Sequence, residues 1–131
     1  MTTDQFILAL TIWREARGES TEGRRAVLHV ILNRARSKWG GAQSIPEVCL
    51  ARLQFSSMTA VGDPMTVQFP LIKDTANWHA WADIAAIVSN DPGSDPTGGA
   101  NHYYAVSMAA PNWADPSKFT VQIGNHKFYK L

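Results

Sequence analysis

Glu15 and Glu19 flank Gly18 in the stretch Trp13-Arg14-Glu15-Ala16-Arg17-Gly18-Glu19-Ser20, at the end of an apolar amphipathic segment. A carboxylate in such a place can be half-buried against aromatic side chains while it faces a cleft. Losing water disfavours its charged form, raises its pKa and makes it a general acid at neutral pH. The same spacing also suits a solvated helix end, with Arg14, Glu15, Arg17 and Glu19 forming ion pairs along the surface. These residues by themselves leave both readings open.

Other chemistries find less support. His29, His79, His102 and His126 are scattered, without paired spacing or a cysteine partner, so no metal site and no cofactor is expected. His29 falls in mid-helix as a structural residue. His102 and His126 stand beside Tyr and Phe, where a histidine either lines a site or fills a core. No Gly-x-Ser-x-Gly elbow occurs, and Cys49, the single cysteine, sits in the apolar run Val48-Cys49-Leu50 as a small buried residue. Gly98-Gly99 precedes no helix and cannot cradle a phosphate as a glycine-rich loop does. Carboxylates remain. Glycosidic bonds are cleaved either by two carboxylates at a set separation or by one acid with help from the substrate.

The elements that must position these residues follow from capping signals and periodicity. Thr2-Thr3-Asp4-Gln5 is a capping box, and Phe6, Ile7, Leu10 and Trp13 recur at helical spacing, which predicts a helix from about Thr3 to Ala16 or Arg17. Ser20 or Thr21 caps a second helix with Ala26, Val27, Val30 and Ile31 on its apolar face, broken at Trp39-Gly40-Gly41. Ser44-Ile45-Pro46-Glu47 opens a short third helix ending near Leu53. Gln54-Phe55-Ser56-Ser57 and Val61-Gly62-Asp63-Pro64 read as loop. A fourth helix is expected from Thr75 to Ser89, with Trp78, Trp81, Ala82, Ala85 and Val88 on one face. After the Asp-Pro and Gly-Gly punctuation of residues 90–99, His102 to Val106 and Phe119 to Ile123 are strand-like, and Gly124-Asn125 turns the chain back into His126-Lys127-Phe128-Tyr129. The fold class is α+β, mainly helical, with a small C-terminal antiparallel β element.

The bulk numbers fit that picture. A chain of 131 residues makes one domain, here residues 1–131, with a single core. Its five tryptophans suit a core or flat apolar faces that bind sugar rings. A net charge of +1 supplies no overall field for nucleic acid or a membrane surface, although Arg14, Arg17, Arg24, Arg25, Arg34, Arg36 and Lys38 cluster in the first third. No stretch reaches the length of a membrane-spanning helix, and residues 1–5 do not read as a signal peptide.

At this point a resemblance becomes visible. Glu15-Ala16-Arg17-Gly18-Glu19 followed by Ala26-Val27-Leu28-His29-Val30-Ile31-Leu32-Asn33-Arg34 resembles the opening of the cell-wall hydrolase family typified by the spore-cortex-lytic enzyme SleB. Leu53-Gln54-Phe55-Ser56, Asp95-Pro96-Thr97-Gly98-Gly99-Ala100-Asn101-His102-Tyr103-Tyr104, Trp113 and Ile123-Gly124-Asn125-His126-Lys127-Phe128-Tyr129 follow in order, so the match runs from about Trp13 to Tyr129.

The resemblance implies a compact lysozyme-like domain acting on the glycan strands of peptidoglycan as a lytic transglycosylase. Glu15 is then the general acid that protonates the oxygen between N-acetylmuramic acid and N-acetylglucosamine. The same carboxylate next acts as base while the muramic acid 6-hydroxyl closes a 1,6-anhydro ring. Glu19 either assists or orients its turn. Gln54, Phe55, Ser56, His102, Tyr103, Tyr104, His126 and Tyr129 match motif positions and are expected along the sugar groove, although Phe55, Tyr104 and Phe128 suit a core as well. Gly18, Gly98, Gly99 and Gly124 read as backbone requirements.

Arg14 and Arg17 are candidates for holding a loop or the anionic wall. The rival readings are a hydrolytic muramidase assisted by Glu19, Asp63 or Asp95, a non-catalytic wall-binding module and a metal-dependent amidase. A monomeric phage or prophage endolysin is expected, made in the cytoplasm and released to the wall by a holin, with no nucleic-acid partner and no membrane insertion.

Overall fold

The structure is a computed structural model that describes residues 1–131 except 52 and 53. Helix α1 (Thr3–Ala16) starts at the expected capping box: the Thr2 hydroxyl accepts from Gln5 N at 3.1 Å, and the Gln5 side chain accepts from Thr2 N at 2.8 Å. From Leu8 to Arg14 every residue of α1 is buried, because α1 is the central helix. It packs against α2 (Thr21–Arg36), α3 (Ile45–Cys49), α4 (Ser56–Thr59) and α5 (Thr75–Ser89).

Helix α2 is capped by the Ser20 hydroxyl, which accepts from Gly23 N, and its predicted face of Ala26, Val27, Val30 and Ile31 is wholly buried. Helix α3 carries Pro46 in its first turn behind the Ser44 cap and ends at Cys49, short of the end expected near Leu53, a residue that itself lies outside those described. Ser56 and Ser57, expected as loop, open the single turn α4.

Helix α5 has its predicted bounds but a different face. Ala80, Ile84 and Ile87 are buried, Trp81 and Val88 pack against that core from its edge, and Ala82 is exposed. Small and β-branched residues let α5 approach α1 closely, which a row of indoles could not do. The tryptophans work from the margins instead: Trp81 meets the edge of Phe6.

Strands β1 (His102–Ala105), β2 (Phe119–Ile123) and β3 (His126–Tyr129) form an antiparallel sheet in the order β1-β3-β2. His102 lies opposite Tyr129, and Ala105 lies opposite His126. A smaller core of Ala26, Val30, Ala100, Ile123 and Phe128 seats the sheet on α2. The intervening loop is built by Asp95, whose carboxylate accepts from Thr97 N, the Thr97 hydroxyl, Gly99 N and the Asn33 amide. Burial alone would raise the Asp95 pKa, but hydrogen bonds from Asn33 and Thr97 outweigh it and hold the carboxyl below its ordinary value.

Arg14 shows how α1 organises its surroundings. Its guanidinium donates to the carbonyls of Ser57, Thr66 and Gln68 at 3.1–3.2 Å and covers the Phe69 ring. It therefore holds a loop, one of its two expected roles. Arg14→Met keeps the stem but leaves these carbonyls without a donor, so it is expected to cost about 2–3 kcal/mol of stability, read from urea unfolding midpoints.

Candidate active site

Glu15 lies on the last turn of α1, half-buried, with its carboxylate at the junction of two clefts. The larger cleft, about 380 Å³, is lined by Glu15, Arg34, Gln54, Phe55, Tyr103, Tyr104, Trp113 and His126, with Ala105, Met108 and Pro111 on its outer wall. The smaller, about 230 Å³, runs from Glu15 past Gly18 and Glu19 to Asn125 and His126. Glu15 and His126 are the two residues shared by both. A further hollow of about 380 Å³ begins at Gln54 and extends past Trp39 and Gly41 to Glu47.

The Glu15 carboxyl is pushed above its ordinary value by burial, and the negative charge of Asp63 adds to the shift. The Ser57 hydroxyl opposes it by donating to Glu15 Oε1 at 2.6 Å, a short charge-assisted bond that also fixes the rotamer. Ser57 is buried on α4, while Ser56, the serine singled out from the sequence, is exposed and lines neither cleft. Sequence could not choose between them: residues 54–57 read as loop, so no helical phase told which serine points inward.

Glu19 is not placed like Glu15. Its side chain is buried, Oε1 accepts from Asn125 N at 2.9 Å, and Oε2 accepts from the Asn125 amide at 3.0 Å. The carboxylate holds a turn, as one reading of the sequence had it, but that turn is the one between β2 and β3. Gly124 permits this approach: its φ is 55°, and a Cβ there would stand 3.2 Å from Glu19 Oε1. Gly18, in contrast, has neither positive φ nor a close neighbour, so the backbone demand expected there is absent.

Arg34 is the lining residue that sequence reasoning missed. Although read only as one member of the basic cluster in the first third of the chain, it is buried. Its guanidinium donates to Asn101 O at 2.6 Å, reaches Gln54 Oε1 at 3.4 Å, and lies over the rings of Trp39 and Phe55. The signal was present: position 34 follows Val27, Val30 and Ile31 in helical phase. Burial lowers the Arg34 pKa, opposed by Tyr103 and Cys49. Tyr103, in turn, is pushed up by burial and by Glu15.

The remaining candidates separate into two groups. Gln54, Phe55, Tyr103, Tyr104 and His126 line the larger cleft, with Phe55 almost fully buried as part of its floor. His102 and Tyr129 stand behind it. His102 is wedged between Trp39 and Trp113, and burial with the Arg34 charge pushes its pKa down to about 4, so it is neutral at neutral pH. Tyr129 is buried against Tyr104, Trp113 and Phe119.

His29 is buried and contacts Pro92 O, and Cys49 is buried with its thiol pushed up to about 11, both as expected of structural residues. Among the described residues no cluster of three His, Cys, Asp or Glu could hold a metal, and no helix is long and apolar enough to cross a membrane.

Ser57→Ala removes the bond that favours ionised Glu15, so the Glu15 pKa is expected to rise further. Carboxyl NMR titration should show the shift; an unchanged or lower pKa would contradict the geometry.

Comparison with known proteins gives the family and the fold of the chain. The profile of the cell wall hydrolase family matches residues 18–129, beginning three residues after Glu15. The spore cortex-lytic enzyme of Halalkalibacterium halodurans is 32% identical over 125 residues, which is 95% of this chain and 34% of that protein. The spore cortex-lytic enzyme of Oceanobacillus iheyensis is 30% identical over 129 residues, 97% of this chain and 41% of that protein. The chain thus spans between a third and about two-fifths of the length of these relatives.

The SleB catalytic domain of Bacillus cereus superposes with a TM-score of 0.65 at 29% identity, over 97% of this chain and 89% of that one. The catalytic domain of the germination-specific lytic transglycosylase SleB from Bacillus anthracis gives 0.66 at 26% identity, over 99% and 97%. With most of its length matched by the family profile and its fold shared with two solved catalytic domains, the chain belongs to the cell wall hydrolase family.

Proposed function

We propose that this domain is a peptidoglycan lytic transglycosylase that cleaves the MurNAc–GlcNAc β-1,4 bond with Glu15 as its acid and base. The observation that carries the reading is the difference among the carboxylates. Glu15 is desolvated yet opens on the groove, with its pKa raised. Glu19 is engaged by Asn125, and Asp95 by Asn33, Thr97 and Gly99. One carboxyl with a raised pKa beside a sugar groove suits a reaction in which the substrate supplies its own nucleophile.

In this reading the glycan lies along the larger cleft, with Tyr104 and Trp113 offering apolar faces to sugar rings and Gln54 offering an amide to their polar groups. Protonated Glu15 gives its proton to the glycosidic oxygen as the bond to the anomeric carbon breaks. The muramyl 6-hydroxyl attacks that carbon, and its proton restores Glu15. The fixed Ser57 bond keeps the carboxyl oriented and supports its anionic form between the two steps. His102 and Tyr129 act from behind, by holding the aromatic wall.

A second reading has one specific observation behind it. Asp63 is close enough to raise the Glu15 pKa, and as a base it would let water attack instead, giving hydrolysis. Its Oδ1 accepts from Met65 N at 2.9 Å, which favours a capping role.

Glu15→Gln tests the assignment. Turnover of purified sacculi is expected to fall by about 10²-fold or more. A carboxyl whose folded pKa is raised binds protons more tightly in the fold, so stability declines as pH climbs from its ordinary value through the raised one. The glutamine variant lacks that penalty and is expected to melt no lower than wild type at neutral pH. The masses of the released muropeptides decide the reaction: anhydro ends are one water lighter, and reducing ends alone would mean hydrolysis.

A further inference from the structure

The Glu19–His126 pair is the other polar arrangement on the groove. His126 Nδ1 is buried and stands 3.3 Å from Glu19 Oε1, with both side chains about nine-tenths buried. The contact is off the line of a hydrogen bond, and among the described residues Nδ1 has no other polar partner. The opposite nitrogen, Nε2, differs: it is not among the buried unpartnered atoms and has no protein hydrogen bond among the described residues. The ring that carries it lines both clefts that meet at Glu15. Asn125 fixes the carboxylate from the other side, and Tyr103 packs edge-on against the imidazole at 4.9 Å. A histidine with one nitrogen beside a buried, immobilised carboxylate and the other open to a groove is placed to accept a proton at the open nitrogen.

We propose that His126, oriented by Glu19, receives the proton of the muramyl 6-hydroxyl at Nε2 and passes it to Glu15. The proposal rests on the transglycosylase reading and assigns a route to its second step. The balance is closed. Glu15 donates one proton to the departing oxygen as the glycosidic bond breaks, and the 6-oxygen bonds to the anomeric carbon. The hydroxyl proton moves to Nε2 and then to the Glu15 carboxylate, which leaves both residues as they began.

A neutral ring is what this role needs. Burial pushes the His126 pKa below its ordinary value, with the Glu19 carboxylate pulling the other way. A long Nδ1–Oε1 contact is no obstacle, since catalytic hydrogen bonds tighten as substrate closes a site. Glu19 touches neither substrate nor reacting atoms in this scheme and is a positioning residue.

The test compares His126→Ala, His126→Gln, Glu19→Gln and the Glu19→Gln/His126→Ala double variant on purified sacculi, counting anhydro ends by mass with melting temperatures alongside. His126→Ala and His126→Gln are expected to form anhydro ends about 10²-fold more slowly. Glu19→Gln keeps an amide oxygen at the Oε1 position, where it still accepts from Asn125 N and faces Nδ1. But it replaces the carboxylate behind the ring with a neutral amide and so withdraws the charge that supports the ring once Nε2 has taken a proton. It is expected to lose nearly as much activity without a matching loss of melting temperature.

The double variant should be no slower than His126→Ala, because Glu19 acts through the ring. Anhydro-end formation by His126→Ala within about twofold of wild type would overturn the proposal, as would single effects that multiply in the double variant. His126→Gln reads the same acceptor loss should the alanine variant fail to fold. Should wild type release reducing ends alone, the transglycosylase reading falls instead. Should Glu15→Gln be inactive while His126→Ala is not, only the relay falls.

Discussion

The Glu19 carboxylate joins parts of the chain 106 residues apart, and the groove depends on that join. Glu15 belongs to the central helix, while His126 belongs to the last strand of a sheet that rests mainly on α2. Nothing in the packing of α1 would by itself fix the distance between them. Glu19, just past the end of α1, reaches the turn between β2 and β3 and takes hydrogen bonds from both the backbone and side chain of Asn125. A buried carboxylate is costly unless its oxygens are satisfied, and here three polar groups stand against them. The sheet is thereby registered against α1 at the edge where the two clefts meet. Gly124 is part of the same constraint, since any side chain there would press on the carboxylate.

A second tie works from the opposite side. Asn33 and Arg34, adjacent on α2, reach into the chain that leads to β1: Asn33 to Asp95 and Ala100 O, Arg34 to Asn101 O. The Arg34 guanidinium also bears on Trp39 and Phe55, so one buried cation touches two rings beside the groove and the residue that leads into the strand carrying Tyr103. Its charge helps keep His102 neutral behind that wall. The groove is therefore bounded by side chains that are fixed on their far sides, which is the condition for holding reacting groups in register.

Local signals in the sequence carried the elements well. Caps at Thr2, Ser20 and Ser44 and the apolar phase of α2 are short-range features, and they appear in the structure where they were expected. Legibility ended where side-chain direction depends on tertiary context. Ser57 rather than Ser56 meets Glu15 because residues 56–59 form a turn of helix that periodicity is too short to reveal. Arg34 was in phase with a buried stripe, but as one of a cluster of basic residues it could not be told from its neighbours until the backbone carbonyl and rings that receive it were known. On α5 the tryptophans suggested the wrong face, since bulk says little about which residues allow two helices to approach. The role of Glu19 combined a correct guess about turn-holding with a partner no spacing rule could identify.

The electrostatic design follows from these ties. On the proposed transglycosylase reading, Glu15 needs a carboxyl kept neutral by its surroundings, yet one that becomes and remains an anion for part of the cycle. Burial alone would satisfy the first demand and defeat the second. Ser57 resolves the conflict by donating to the anion at 2.6 Å without removing the shift that burial and Asp63 impose. Holding Glu19 as a satisfied anion beneath His126 keeps a second negative charge close to the groove but tied down by Asn125. The two glutamates that flank Gly18 thus have opposite fates because they have opposite partners: one hydroxyl and an open groove for Glu15, an amide-rich turn for Glu19.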